Sequence, residues 1–218
     1  MGLDFAVLPD YSNLLWIGTL WTVVLTVASA VLAFFAGIAF ALVVLYAPRL
    51  VTLPVRFFIW LFMGTPLLLQ LYLIYFGLGQ LGVNLPAMVA GIIGLGLHFA
   101  VYNADVIRAG IVAVDPGQHE GARSLGLGRL QTFRHIIVPQ AVQSVTPPLG
   151  NNLIALLKES SLVSVLGVAD LVHAAQLGIS ETYRPFEFYI AAAVLYYVLN
   201  LILEYGLRLA ERKVEATR

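Results

Sequence analysis

Five apolar stretches, each long enough to cross a lipid bilayer, occupy most of this chain and set what it can fold into. They cover 14–45, 53–78, 86–107, 144–166 and 186–207. A helix crosses the hydrocarbon with about 20 largely apolar residues, and the first stretch is long enough to tilt or protrude. Backbone groups in lipid must be satisfied internally, which leaves helices or closed barrels. The stretches lack the alternating pattern of barrel strands. An all-α membrane protein with five transmembrane helices follows. The composition agrees: 60% of the 218 residues are hydrophobic and 11% charged, far from a soluble domain. No low-complexity segment or internal repeat divides the chain, so 1–218 reads as a single membrane domain.

Zero net charge conceals an asymmetry. Arg49 and Arg56 lie between the first two stretches. Arg108, Arg123, Arg129 and Arg134 lie between the third and fourth, and Arg208, Arg212, Lys213 and Arg218 follow the fifth. Arg184 alone falls in an opposite loop, and Lys158 lies inside a span. Positive residues gather on the cytoplasmic side, which predicts a cytoplasmic C-terminus and, with five spans, an N-terminus outside. No basic residue precedes the first stretch, so it is expected to be a permanent span rather than a cleaved signal. The absence of cysteine excludes disulfide and thiol chemistry and agrees with a bacterial inner (plasma) membrane.

Polar residues inside the spans are the candidate functional groups. Thr19, Thr22, Thr26, Ser29, Ala33 and Gly37 share one face of the first span, a seam suited to close helix packing, with a pore lining as the alternative. Gly64, Thr65 and Pro66 disturb the second span; a packing kink is the simpler reading, and a broken helix lining a path is the other. Gln70, one turn beyond Pro66, is the polar group placed to reach a solute. In the third span His98, Tyr102 and Asp105 share a face, and Asp105 can pair with Arg108. They read either as passage groups or as an interior histidine beside a boundary ion pair. In the fourth, Lys158 and Glu159 follow Asn151 and Asn152 by two turns. Charges at that depth must face protein or a water-filled passage. A structural pair is one reading. A zwitterion site, with Ser160 and Ser161 nearby, is the other.

Between the third and fourth spans, 115–140 reads as a cytoplasmic helical hairpin. Asp115 is an N-cap, Pro116 takes the first helical position, and Gln118 completes the capping pattern. Gly126 ends the first helix and Gly128 opens the turn. A second helix is expected over 129–137, interrupted by Pro139. Ala122, Gly126, Leu130, Phe133 and Ile137 form an apolar face that calls for a partner. Such a hairpin could lie on the membrane surface. Gly121 argues otherwise, because glycine inside a helix costs about 1 kcal/mol relative to alanine and is suited to close approach by another protein.

The hairpin residues Glu120, Gly121 and Ala122, then Gly126, Ile136, Val138 and Pro139, resemble the EAA signature of ABC importer permeases, with glycine replacing the central alanine. The segments MGTPLLLQL, YNADVIRAGI, GQHEGARSLGL, VPQAV and PPLGNNLIALLKESSLVSV extend the resemblance over nearly the whole chain and narrow it to the polar amino-acid uptake branch. Two positions depart: that branch commonly has arginine where Met63 stands and glutamate where Asp105 stands.

The resemblance implies a type I importer fold and a permease subunit that passes a polar amino acid through the inner membrane. It implies a homodimer, or a heterodimer with a paralogous permease, two cytoplasmic ATPase subunits and an extracytoplasmic solute-binding protein. Glu120, Gly121, Ala122, Arg123 and Gly126 would form the ATPase-coupling element. Thr65, Gln70, His98, Tyr102, Asp105, Asn152, Lys158, Glu159, Ser160 and Ser161 are the candidate substrate and passage residues. No phosphate-binding loop occurs, so ATP and magnesium would bind the partner ATPase and no cofactor this chain. The four histidines show no metal-ligand spacing. Membrane lipid is an expected neighbour and nucleic acid is not. An intramembrane enzyme using His98, Tyr102, Lys158 and Glu159, or a non-transporting scaffold, remain the alternatives.

Overall fold

The computed structural model describes residues 2–215, so Arg218, counted above on the cytoplasmic side, lies outside the described residues. All regular structure among them is helical. After a short 3₁₀ turn, α1 spans Ser12–Tyr46. The second apolar stretch divides into α2 (Arg49–Met63), α3 (Leu67–Tyr72), a π-helical turn (Leu73–Gly77) and α4 (Leu78–Gln80). Next come α5 (Ala87–Val112), α6 (Pro116–Ser124), α7 (Arg129–Thr132), a π-helical turn (Phe133–Ile137) and α8 (Val138–Glu159). A 3₁₀ segment, Ser160–Leu166, leads to α9 (Leu171–Thr182), and α10 (Pro185–Glu215) closes the bundle.

Among the described residues three helices are long and apolar enough to cross a membrane unaided, and five spans are reached when two bent pairs each count as one. The sharper bend, 114°, separates α2 from the segment Leu67–Gln80. The simple kink expected at Gly64, Thr65 and Pro66 is therefore a complete break. Pro66 supplies no N–H, and its ring pushes the preceding Thr65 out of helical geometry. The chain restarts with the Pro66 carbonyl accepting from the Leu69 and Gln70 N–H groups. Lipid holds no water to satisfy a break of this kind, so something in the protein must.

α5 is the centre of the bundle, with α1, α3 and α8 around it. The hydroxyl and small residues of α1 face inward: Thr19, Thr22, Thr26, Ser29, Ala33 and Gly37 are all buried. A Cβ on Gly37 would sit 2.7 Å from the Cβ of Asn103, so glycine here is what brings α1 and α5 together. Van der Waals contact of this closeness holds helices together where lipid tails are as apolar as leucine. The seam is a packing surface, as its spacing suggested. The main core joins Leu25, Leu71, Leu95, Phe99, Leu156 and Val163.

α9 falls where the apolar pattern gave only a connection. It starts at Asp170, whose Oδ1 accepts the His173 N–H at 2.9 Å, and its Leu171 N–H donates to Thr22 Oγ1 at 3.0 Å. Tyr183, at φ 57°, ends it and turns the chain into α10. That turn is tied to the N-terminal segment: Arg184 pairs with Asp4 at 3.2 Å and with Glu187 at 3.4 Å, and the Asp4 N–H donates to Glu187 Oε1 at 3.0 Å.

Candidate functional site: a helical hairpin and a polar cluster in the bundle

Local chemistry fixes the hairpin. Asp115 Oδ1 accepts the Gly117 N–H at 2.6 Å, and Pro116 occupies the first turn of α6. The helix ends with Gly126 at φ +78°. There the Leu127 N–H reaches the Ala122 carbonyl and the Gly126 N–H reaches Arg123, both at 3.0 Å, the paired bonds of a Schellman ending. Gln131 Oε1 then accepts the Gly128 N–H at 2.9 Å and starts α7.

The interruption expected at Pro139 does not occur. The chain stays helical from α7 to the end of α8, passing the proline through the π-helical turn Phe133–Ile137. One extra residue in the turn accommodates the ring and the missing N–H that would break a regular α-helix. The second helix of the hairpin thereby continues without a break into the helix that carries Lys158 and Glu159.

The apolar face read in the hairpin finds most of its partner within the chain. Ala122 and Ile137 are buried, Phe133 packs with Val114, Ile137 and Ala141, and Tyr46 meets Phe133 edge-on at 5.7 Å. Leu130 departs from that face and is 77% exposed. On the other side of α6, Gly117, Gly121 and Ser124 recur at helical spacing and are exposed, with Leu125 beyond them 81% exposed. A Cβ on Gly121 would meet nothing within 4 Å. Nothing among the described residues requires glycine there. Glu120, three residues after Gly117, borders that face and is exposed, and Arg123, also exposed, is turned away from it.

Inside the bundle, five sequence-predicted residues come together at the break. The Gln70 Nε2 amide donates to the carbonyls of Phe62 at 2.8 Å and Thr65 at 3.0 Å, and to Thr65 Oγ1 at 2.9 Å. Phe62 is the residue whose helical partner would have been the N–H that Pro66 lacks, so Gln70 replaces the missing donor. With its NH₂ group committed, Gln70 Oε1 must accept, and His98 Nδ1 lies 3.0 Å away. His98 Nδ1 therefore carries the proton. In the neutral ring Nε2 is then a bare lone pair, and it faces Glu159 Oε2 at 3.9 Å. Tyr102 lies beside the ring, its centroid 5.1 Å away. His98 sits near the middle of α5, so the cluster lies at mid-length of the bundle, with His98 and Gln70 buried and Tyr102 and Glu159 open on its side.

The other predicted residues stand apart. Lys158, one position before Glu159, turns to the exposed side of α8 with Asn151, because neighbouring residues point about 100° apart on a helix. Ser160 and Ser161 spend their hydroxyls on the carbonyls of Leu157 and Lys158, at 2.7 and 2.8 Å. Asn152 Nδ2 donates to Asn103 Oδ1 at 2.9 Å. Asp105 is exposed and pairs with Arg108 at 2.7 Å.

Residues 33–216 match the family of binding-protein-dependent transport system inner membrane components. The chain belongs to this family. Curated members resemble it along its length. The arginine transport system permease protein ArtQ of Bacillus subtilis (strain 168) is 37% identical over 218 residues, covering 99% of each chain. The putative glutamine transport system permease protein GlnP of Rickettsia bellii (strain RML369-C) is 38% identical over 198 residues, covering 90% of this chain and 91% of the relative. Among solved structures, the crystal structure of an amino acid ABC transporter with histidines aligns with a TM-score of 0.92 and 43% identity, over 98% of this chain and 100% of the other. An inward-facing MetNI methionine ABC transporter aligns with a TM-score of 0.75 at 20% identity, over 93% and 97% of the two chains, and shares the fold.

For a transport-system inner membrane component, the second helix of the hairpin runs on through α7 and α8 to Glu159, so one helical run links the hairpin to one member of the polar cluster. Sequence reading overlooked Asn103, because it falls off the stripe of His98, Tyr102 and Asp105. Its signal was simply an amide inside an apolar span, which is rarely without a partner. Asp170 was also missed: it is fully buried in the turn before α9, and its Oδ2 has no hydrogen-bond partner among the described residues.

Proposed function

We propose that this permease subunit carries a polar amino acid across the inner membrane in an ATP-driven importer, taking it from an extracytoplasmic binding protein. Two copies, or one copy and a paralogue, enclose the passage, and two ATPase subunits bind ATP and magnesium and grip the hairpins. Permeases named for arginine and glutamine among the relatives support the amino-acid class. Within the chain, Tyr102, Asp105, Asn151 and Lys158 are exposed on α5 and α8. Charges and amides at membrane depth do not face lipid without a large penalty. A second subunit and a wet passage on that side satisfy them. The gathering of basic residues near the hairpin and in α10 supports a cytoplasmic C-terminus and an N-terminus outside.

The observation that carries the reading is the pair formed by His98 Nε2 and Glu159 Oε2, two acceptors facing each other at 3.9 Å. With His98 neutral they lack a donor. An ammonium group arriving with the solute supplies several N–H donors to a carboxylate and a lone pair already in place. Lys158, one residue away on the exposed face, offers the cation for the solute carboxylate, with Thr65, Gln70 and Asn152 as fixed supports of the cleft. On the outer face of α6, the surface of Gly117, Gly121, Ser124 and Leu125 receives the ATPase, and Glu120, Ala122, Arg123 and Gly126 hold it in shape.

The test is uptake of labelled amino acids by the whole complex in vesicles, with acidic, basic and amide competitors. Glu159→Gln keeps the shape and removes the charge. Loss of a charge-assisted hydrogen bond is worth roughly 1.5–3 kcal/mol, so the variant is expected to weaken uptake by about tenfold to a hundredfold while assembling normally. Unchanged uptake kinetics in Glu159→Gln would reduce Glu159 to a structural residue.

A further inference from the structure

The cytoplasmic end of α1 and the inner side of the hairpin enclose a cavity of ≈ 640 Å³, lined by Leu42, Tyr46, Phe133, His119, Arg123 and Arg129 among others. A neighbouring hollow of ≈ 480 Å³ shares Tyr46, His119 and Arg123 and adds Glu120. Solute passage and ATPase docking leave both unused. On α6 the cavity side carries His119 and Arg123, roughly opposite the Gly117 and Gly121 side at about 100° per residue.

Three features describe the ligand. First, the cavity carries positive charge: neither Arg123 nor Arg129 enters an ion pair among the described residues. Second, its wall climbs α1 from Tyr46 to Leu42, which are 61% and 36% exposed. Third, its height is set by α1. The 35 residues of α1 extend about 52 Å at 1.5 Å each, enough to cross a bilayer of about 40–45 Å with its head groups. With the C-terminus cytoplasmic, as proposed above, the last turn of α1, with Tyr46 against Phe133, falls at the level of the cytoplasmic head groups, where aromatic rings favour the boundary.

We propose that this cavity binds an anionic phospholipid of the cytoplasmic leaflet, its phosphate between Arg123 and Arg129 and one acyl chain along Leu42. A free phosphate has no use for the apolar wall. A protein segment would have to enter from the side on which α1 faces lipid. The bound lipid bridges α1 and the hairpin, so the hairpin's position depends on the membrane's charge. The inference is independent of which solute is carried.

The experiment uses the complete complex in phosphatidylcholine vesicles containing either brominated phosphatidylglycerol or brominated phosphatidylcholine. Tyr46→Trp is the reporter, read as the difference from the unaltered complex to remove the native tryptophans. An arginine near a membrane surface favours an anionic lipid by about fivefold. The Tyr46→Trp signal is expected to be quenched preferentially by phosphatidylglycerol, and Arg129→Gln is expected to lower that preference about fivefold. Equal quenching by the two lipids overturns the proposal. So does protection from both, which would mean that the ATPase fills the cavity, and so does relief of the phosphatidylglycerol signal by added inorganic phosphate. If Arg129→Gln does not assemble, the preference measured with Tyr46→Trp alone decides.

Discussion

Replacing Gln70 by leucine preserves bulk in a buried place and removes only hydrogen bonds. Gln70 is 4% exposed, and its amide serves the carbonyls of Phe62 and Thr65 on one side and His98 on the other. Gln70→Leu strands two carbonyls and one ring N–H. A buried polar group left unpaired costs roughly 1–3 kcal/mol, while hydrogen bonds between transmembrane helices average about 0.6 kcal/mol. Three stranded groups therefore cost about 2–4 kcal/mol. At about 2–4 °C per kcal/mol for a chain of this size, the melting temperature of the detergent-purified permease should fall by roughly 5–15 °C. Thr65→Val removes only the hydroxyl partner, which has a second bond to the Leu61 carbonyl, and should cost clearly less. Melting of Gln70→Leu within a degree of the parent, followed by fluorescence-detected size exclusion, would refute the claim that this side chain closes the broken span.

Gly121→Trp faces open space in this chain and relieves a helix-propensity penalty of about 0.5 kcal/mol, so the permease should insert and melt as before yet fail to co-purify with its ATPase; a normal complex with normal uptake would count against docking on that face. Gly126→Val forces a β-branched residue to φ +78° and should destabilise the hairpin by about 1–3 kcal/mol, read as faster protease cleavage near 125–128, whereas an unchanged cleavage rate would contradict the Schellman ending. For the alternative enzyme reading, purified permease without ATPase should turn over no amino acid, and turnover under those conditions would favour that alternative.

What the sequence made legible was what depends on local pattern. Helical spacing identified the α1 seam, because burial of a stripe leaves small residues three and four apart. Asp115, Pro116 and Gly126 marked the hairpin, because caps act within one turn. The sharpness of the break at Pro66 was not legible: proline permits either a kink or a break, and the choice is made by Gln70 and by His98, 28 residues further on. Meeting of His98 with Glu159 depends on how α5 and α8 pack, which no single-helix periodicity specifies. The same packing turned Lys158 outward while Glu159 faced inward. α9 was missed because its signal is an N-cap aspartate rather than an apolar stretch, and the helix through Pro139 because a π-helical turn has no distinct sequence mark.

Because the chain contains no cysteine, a single cysteine at Leu125 gives an unambiguous crosslinking probe of the hairpin's outer face in the assembled complex. The account predicts that Leu125→Cys forms a disulfide-length crosslink to one site on the ATPase, and that the yield changes between the nucleotide-free and ATP-bound states. Labelling of Leu125→Cys by lipid-borne reagents alone, with no ATPase adduct in either state, would contradict it.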